Sequence, residues 1–202
     1  NLCEVILIDR SRSMYDSNLI EPAIKASIIR AEVLGHFWVP TCIIFFDEKT
    51  VIAMSWAWSV WWKLKGARDN RKTHGAPARI IKTASKEGGG TDIWGGLKLA
   101  KNELEQILKS PDGKWRRGSI TFIGDGEPSP NYLSGNELQA LIQDILSKYP
   151  ISAYFLWHES AAAAIIYYFW QENTVVVPNV ADLPDKMAKQ FKKRLLKELQ
   201  KL

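Results

Sequence analysis

The residues best suited to chemistry lie near the amino end of the chain, in the segment Asp9-Arg10-Ser11-Arg12-Ser13. An apolar stretch ends here in a carboxylate, which two hydroxyls follow at alternate positions. Alternate residues of an extended segment point the same way, so these three oxygen-bearing side chains can converge while the two arginines point elsewhere. Converging hard oxygen ligands suit a small divalent cation. The other interpretation is a capped strand-to-helix turn, because Asp and Ser are common in turns and at helix N-caps.

The elements that must position this segment can be predicted from the pattern of apolar residues. Short apolar runs alternate with stretches of helical periodicity, which favours a mostly parallel sheet covered by helices on both faces. In such a doubly wound α/β fold, ligands bind where the strands end. The predicted strands cover 2–8, 41–46, 119–123, 151–157 and 174–177. The predicted helices cover about 19–34, the stretch after Asp92 to about 108, 138–145, 161–172 and the stretch from 182 onward.

A further strand is predicted at 51–62, where Trp56, Trp58 and Trp62 share one face of an alternating pattern. A short polar link joins it to the strand before, so it should be antiparallel and lie at an edge of the sheet. Residues 63–88 are basic and punctuated by glycine and proline, which predicts a surface loop or insertion. Three interpretations of this Trp-rich, basic region remain open. They are an edge strand packed under helices with a solvated loop, a protein-docking surface, and a platform for single-stranded nucleic acid.

Composition is that of an ordinary globular protein, with 46% apolar and 24% charged residues. The 202 residues suit one large core, so we expect residues 1–202 to form a single domain. A net charge of +5 permits acidic partners without requiring nucleic acid. Cys3 and Cys42 each lie in an apolar run, which favours buried free thiols over a disulfide.

Targeting signals are not evident in the printed sequence. Its longest apolar run, 161–170, is too short for a membrane span, and no signal-peptide pattern is present. We therefore expect a cytoplasmic location and no membrane insertion. The chain has no initiator Met and opens almost directly into a strand, so we also expect it to be one domain of a larger protein.

Three segments that lead into predicted helices are chemically alike: Asp9 to Ser13, Thr91 behind a run of three glycines, and Asp125 between two glycines. Together they resemble the von Willebrand factor A domain and its metal-ion-dependent adhesion site (MIDAS). The pattern of that family is D-x-S-x-S after the first strand, a Thr before a middle helix and an Asp after the fourth strand. The resemblance covers nearly the whole chain. It implies the metal ligands Asp9, Ser11, Ser13, Thr91 and Asp125.

The expected ion is Mg²⁺, with Mn²⁺ or Ca²⁺ as alternatives, because the ligand set consists of hydroxyls and two carboxylates. If one carboxylate acts through water, the ion keeps positive character and an open position. An Asp or Glu of a protein partner can then complete the shell, as is understood for the family. The resemblance therefore implies a protein-interaction module without enzymatic activity. The segment 176–184 is loosely similar to the tail of A domains of the metal-chelatase type, which makes an AAA+ ATPase a candidate partner.

Two positions depart from the pattern of the family. Arg12 stands where relatives often have Gly or another small residue, and Gly124 stands where many have Thr. Arg10 and Arg12 could either fringe the site and attract acidic partners or fold back onto neighbouring carboxylates. The candidates for the rim of the site or for partner contact are Arg10, Arg12, Asp92, Glu127 and His158.

Two other functions remain as alternatives. One is a nucleic-acid-associated module that uses the basic, Trp-rich region. The other is a metal-dependent phosphohydrolase with Asp9 as the phosphoryl acceptor. The second is disfavoured, because phosphatases that resemble haloacid dehalogenases would have an acid where this chain has Ser11.

Overall fold

The fold is seen in a computed structural model that describes residues 2–56, 75–84, 88–110, 116–126, 135–156 and 162–199. Six strands form one sheet in the order β3-β2-β1-β4-β5-β6. Strand β3 pairs antiparallel with β2, and the other neighbours pair in parallel. The predicted fold class, a doubly wound and mostly parallel sheet with one antiparallel edge strand, is confirmed. The strands are β1 (Leu2–Asp9), β2 (Thr41–Phe46), β3 (Val51–Met54), β4 (Arg117–Gly124), β5 (Ile151–Phe155) and β6 (Thr174–Val176).

Helices cover both faces of the sheet. The longest described helices have 17 residues each, and none is both long and apolar enough to cross a membrane. Two 3₁₀ turns, at Gln171–Asn173 and Val180–Asp182, flank β6. The helices are α1 (Arg12–Asp16), α2 (Ile20–His36), α3 (Gly75–Ala84), α4 (Ile93–Lys109), α5 (Asn136–Lys148), α6 (Ala162–Phe169) and α7 (Leu183–Leu199).

Strand β1 lies at the centre of the sheet and is buried on both faces. Val5 and Leu7 pack into a core cluster with residues of α4 and α5, whereas Ile6 and Ile8 pack into a second cluster with residues of α2 and α7. This two-sided burial explains why the strand is a continuous apolar run instead of an alternating one. Near its start, Glu4 forms a buried ion pair with Arg30 of α2.

The structure differs from the sequence-based prediction at the edge strand. Strand β3 ends at Met54, and Trp56 is buried outside the sheet. The ladder between β2 and β3 shifts register between Ile43 and Ile44, and irregularities of this kind bend a strand and end its pairing. Trp58 and Trp62 fall in residues 57–74, outside the described part of the chain.

A second difference lies within 63–88, which was predicted as a loop. Residues 75–84 form helix α3. Pro77 stands in its first turn, where the missing proline N–H is not needed, so the same residue that suggested a loop is compatible with a helix start. Ile80 and Ala84 are both 1% exposed and belong to the core cluster on the α2 side of the sheet. The remaining positions of this segment, apart from Gly88, lie outside the described residues.

Candidate metal centre

The two predicted acidic ligands come together because β1 and β4 are neighbours in the sheet. Their parallel ladder runs to the pair Ile8 and Ile123, so both strands end at the same edge. Asp9 is the last residue of β1, and Asp125 follows the last residue of β4. The topology therefore places two carboxylates beside each other from positions that are far apart in the sequence.

A chain of hydrogen bonds joins these two carboxylates through the two serines. Asp9 Oδ1 accepts a bond from the Ser11 N–H at 2.7 Å. Ser11 Oγ lies 3.0 Å from Ser13 Oγ, and Ser13 Oγ donates to Asp125 Oδ1 at 3.1 Å. Ser11 occupies the N-cap of α1, yet its side chain makes no capping hydrogen bond. The first serine hydroxyl thus faces the other oxygens of the site and does not cap the helix.

Each carboxylate has one buried oxygen that no described residue satisfies. Asp9 is fully buried and Asp125 is 4% exposed. Among the described residues, Oδ2 of Asp9 and Oδ2 of Asp125 have no hydrogen-bond partner. A buried charged oxygen without a partner costs considerable free energy, so native structures seldom retain one without a reason. Two such oxygens in one site fit the requirements of a bound cation.

The pKa values of both carboxyls are raised in the folded protein. Burial, together with the nearby charge of Asp125, raises the pKa of Asp9 from 3.8 to about 7, even though hydrogen bonds from Ser11 act to lower it. Burial also raises the pKa of Asp125, although the hydrogen bond from Ser13 opposes it. A bound cation would favour the charged form of both groups.

The chemistry of the donors fits a hard cation. In the described ranges, no group of three or more His, Cys, Asp or Glu side chains could hold a metal ion. The site offers two carboxylates and neighbouring hydroxyls, which are all hard oxygen ligands. Such a set suits Mg²⁺, Mn²⁺ or Ca²⁺ better than it suits metals that prefer thiolates or imidazoles.

The predicted ligand Thr91 lies in a loop that is fastened to the same edge of the sheet. The Arg12 N–H donates to the Gly89 carbonyl at 3.1 Å, and the Asp92 N–H donates to the Asp47 carbonyl at 3.0 Å. Thr91 lies between these two fastened positions and is 5% exposed. A side chain at Gly88 would place its Cβ 2.0 Å from the Arg10 carbonyl oxygen, so only glycine fits there.

The two arginines of the motif have different environments. Arg10 is 6% exposed, and its Nε donates to Asp47 Oδ2 at 2.8 Å, so it folds back onto a carboxylate and does not fringe the site. Arg12 remains at the surface, with 83% of its side chain exposed and an ion pair of 3.6 Å to Asp16. Of these two arginines, only Arg12 is exposed enough to contact a partner protein.

The other rim candidates divide as follows. Asp92 is the N-cap of α4, where its Oδ1 accepts from the Gly95 N–H at 2.9 Å, so its side chain has a capping role. Glu127 and His158 lie outside the described residues. Sequence reasoning missed Asp47 as a residue of the site's surroundings, although the signal was available. It follows β2, whose end lies at the same edge as the end of β1.

Gly124, the second departure from the family pattern, packs directly against Asp9. A Cβ at this position would lie 3.2 Å from both Cβ and Oδ2 of Asp9, and 3.0 Å from Cε1 of Phe122. These separations are tighter than ordinary contacts. The glycine therefore allows the end of β4 to approach Asp9 closely, and a threonine would require its neighbours to shift.

Comparisons with solved structures identify the fold. A von Willebrand factor type A structure from Catenulispora acidiphila matches with a TM-score of 0.67 and 14% identity, over 94% of this chain and 42% of that chain. Proximal thread matrix protein 1 from the mussel byssus matches with a TM-score of 0.65 and 13% identity, over 91% and 44%. A structure of the same mussel protein with a zinc-occupied MIDAS motif matches with a TM-score of 0.60 and 14% identity, over 92% and 46%.

This chain therefore has the von Willebrand factor A fold, as the sequence motifs predicted. It spans less than half the length of each solved chain described above. No protein-family model and no curated protein sequence matches it. The weaker similarity to A domains that work with AAA+ ATPases is not among these findings.

Proposed function

We propose that this chain is a metal-dependent protein-interaction module that holds a divalent cation, with Mg²⁺ as the first candidate. The ligands would be the side chains of Asp9, Ser11, Ser13, Thr91 and Asp125. The observation that carries the proposal is the pair of buried carboxylate oxygens, on Asp9 and Asp125, that lack a partner among the described residues. The bound ion would supply a Lewis-acidic position that a carboxylate of a partner protein completes.

Titration calorimetry with Mg²⁺, Mn²⁺ and Ca²⁺ tests the metal site. We expect the wild-type protein to bind at least one of these ions and Asp125→Asn to bind it at least tenfold more weakly. Asp16→Asn is the control, because this carboxylate lies in helix α1, next to the Asp9–Ser13 segment, but 69% of its side chain is exposed. Absence of binding to all three ions, or equal binding by both variants, would contradict the proposal.

The open coordination position can be tested with Mn²⁺. Water exchanging at a protein-bound Mn²⁺ ion enhances the relaxation of solvent protons, so displacement of that water is measurable. We expect an acetate ion or a short Asp-containing peptide to lower this enhancement, whereas the corresponding Asn peptide does not. If neither acetate nor the Asp-containing peptide lowers the enhancement of solvent-proton relaxation by bound Mn²⁺, partner binding through the metal is refuted.

The proposed partner is a protein that presents an exposed Asp or Glu, and an AAA+ ATPase is the first class to test. Binding that EDTA and Asp9→Asn both abolish would support the proposal. Binding that is unaffected by EDTA and by Asp9→Asn, but that weakens steeply as the salt concentration rises, would favour nucleic acid as the partner. We propose no catalytic activity. Hydrolysis of a generic phosphate ester that disappears in Asp9→Asn would overturn this part of the proposal.

A further inference from the structure

We propose that the buried pair of Arg10 and Asp47 positions the loop that brings Thr91 to the metal centre and joins that loop to helix α3. This inference rests on the proposed function, because Thr91 is a ligand only if the site holds a metal. Arg10 and Asp47 would not touch the ion. They would act as positioning residues, through the backbone of the neighbouring segments.

Asp47 is the shared contact point of two segments. Its Oδ2 accepts the Arg10 Nε at 2.8 Å and also accepts Arg10 Nη2. Its backbone carbonyl accepts the Asp92 N–H at 3.0 Å. Asp47 thus binds Arg10, in the Asp9–Ser13 segment, through its side chain and Asp92, the neighbour of Thr91, through its backbone.

Arg10 extends this connection to helix α3. Its Nη1 donates to the Thr83 carbonyl at 2.7 Å, and the Tyr15 hydroxyl donates to the Ala84 carbonyl. Thr83 and Ala84 are the last two residues of α3, whose terminal carbonyls have no partner within the helix. The side chains of Arg10 and of Tyr15 in helix α1 therefore bind the carboxyl end of α3.

The glycine-rich loop lies directly against this pair. At Gly88, an added Cβ would lie 2.8 Å from both Cβ and Oδ2 of Asp47, in addition to its overlap with the Arg10 carbonyl. At Gly89, the backbone carbonyl accepts the Arg12 N–H at 3.1 Å. The loop that carries Gly88, Gly89 and Thr91 is packed closely against Arg10 and Asp47. Loss of these two side chains would therefore give the loop room to move, and Thr91 would move with it.

A purely stabilising role is the competing explanation, and the chain offers a matched control for it. Glu4 and Arg30 form a second buried ion pair at the other end of β1, with Nε to Oε1 at 2.5 Å and Nη2 to Oε2 at 2.9 Å. The side chains of that pair are 3% and 9% exposed, compared with 5% and 7% for Asp47 and Arg10. The two pairs are alike in chemistry and burial but differ in their distance from the metal site.

The test compares two double variants, Arg10→Met/Asp47→Leu and Arg30→Met/Glu4→Leu. Each removes one positive and one negative charge together, so neither leaves an unpaired buried charge or changes the net charge. Mg²⁺ affinity is measured by calorimetry, and the stability of the metal-free protein by urea denaturation. We expect at least a tenfold loss of Mg²⁺ affinity in the first variant and a change of less than about twofold in the second.

Retention of wild-type affinity by the first variant would overturn the inference, as would an equal loss in both variants. Hydrogen exchange at the Arg12 and Asp92 amides of the metal-free proteins provides a readout that does not depend on the ion. We expect faster exchange at both amides in the first variant only. If the wild-type protein binds no Mg²⁺, the proposed function is refuted, and the positioning role is judged separately by hydrogen exchange. Unchanged exchange at these amides would then refute the positioning role, and faster exchange would support it.

Discussion

Asp9→Asn is expected to stabilise the metal-free protein at and above neutral pH while it abolishes the response to Mg²⁺. Burial raises the pKa of Asp9 from 3.8 to about 7, so the folded protein holds this proton more tightly than the unfolded chain does. The corresponding contribution to stability is fully present below about pH 4 and is lost as the pH rises through 7. Asparagine has the same shape and no charge, so the variant does not lose this contribution.

The size of the effect follows from the two pKa values. Each pH unit between 3.8 and about 7 corresponds to about 1.4 kcal/mol, so the full effect is about 4 kcal/mol. The amide oxygen can still accept the Ser11 N–H, which Asp9 Oδ1 accepts at 2.7 Å, so the substitution sacrifices little in return. A change of this size is a large fraction of the stability of a typical domain, which is about 5–15 kcal/mol.

The assay is urea denaturation of wild-type protein, Asp9→Asn and Asp16→Asn in EDTA, from about pH 5 to about pH 8. The difference between Asp9→Asn and wild type isolates the titration of this one carboxyl. It should grow in favour of the variant as the pH rises, while the control with the exposed Asp16 stays close to wild type. Adding Mg²⁺ at about 100 times its Kd should stabilise wild type by about 2.7 kcal/mol and leave Asp9→Asn unchanged.

Two results would refute this reasoning. The first is a metal-free Asp9→Asn protein that is less stable than wild type at about pH 8, which would mean that the carboxylate is well solvated or paired without metal. The second is a stability difference that does not vary with pH, which would mean that Asp9 titrates in its ordinary range.

Three further substitutions test other parts of the structure by denaturation. Gly124→Ala should destabilise the protein by about 1–3 kcal/mol, because its Cβ would lie 3.2 Å from buried atoms of Asp9; an unchanged midpoint would argue against this close packing. Trp38→Gly should stabilise the protein by about 1 kcal/mol. Trp38 adopts a left-handed φ of 60° at the end of α2, which glycine adopts without strain, and its side chain is 64% exposed. A lower melting temperature of the variant would contradict this prediction. Arg30→Met should cost about 3–5 kcal/mol, because the buried Glu4 would lose its counter-ion and retain the hydrogen bond from Thr121. A loss below about 1 kcal/mol would show that Glu4 becomes hydrated or protonated instead.

The parts of the fold that the sequence predicted are those in which local pattern and tertiary burial agree. The apolar run at 2–8 became the central strand, because a strand buried on both faces needs no alternation. The helix after Asp92 was equally clear, since its apolar positions repeat with helical spacing and its cap is an aspartate. Helix α3 was missed because its carboxyl end is held by Arg10 and Tyr15, which are distant in the sequence.

The candidate site was predictable in its residue types but not in its surroundings. The D-x-S-x-S segment and Asp125 both follow strands that the apolar pattern predicts, and the parallel topology then brings them together. Whether Arg10 meets solvent or a carboxylate could not be predicted, because the answer depends on Asp47 at the end of another strand. That partner becomes visible only when the order of the strands in the sheet is known.

The central position of β1 has a consequence for the order in which the chain can fold. Strand β1 is synthesised first, yet its partner β4 begins 115 residues later, where Leu2 pairs with Arg117. Until that partner emerges from the ribosome, one edge of this largely apolar strand lacks its neighbour, and such edges can pair with other chains. Asp9 likewise lacks its neighbour Asp125 until the residues that follow β4 have been synthesised. The pair of carboxylates can thus form only after β4 has paired with β1, and termination of translation before Asp125 would leave an aggregation-prone fragment that lacks one of the two carboxylates.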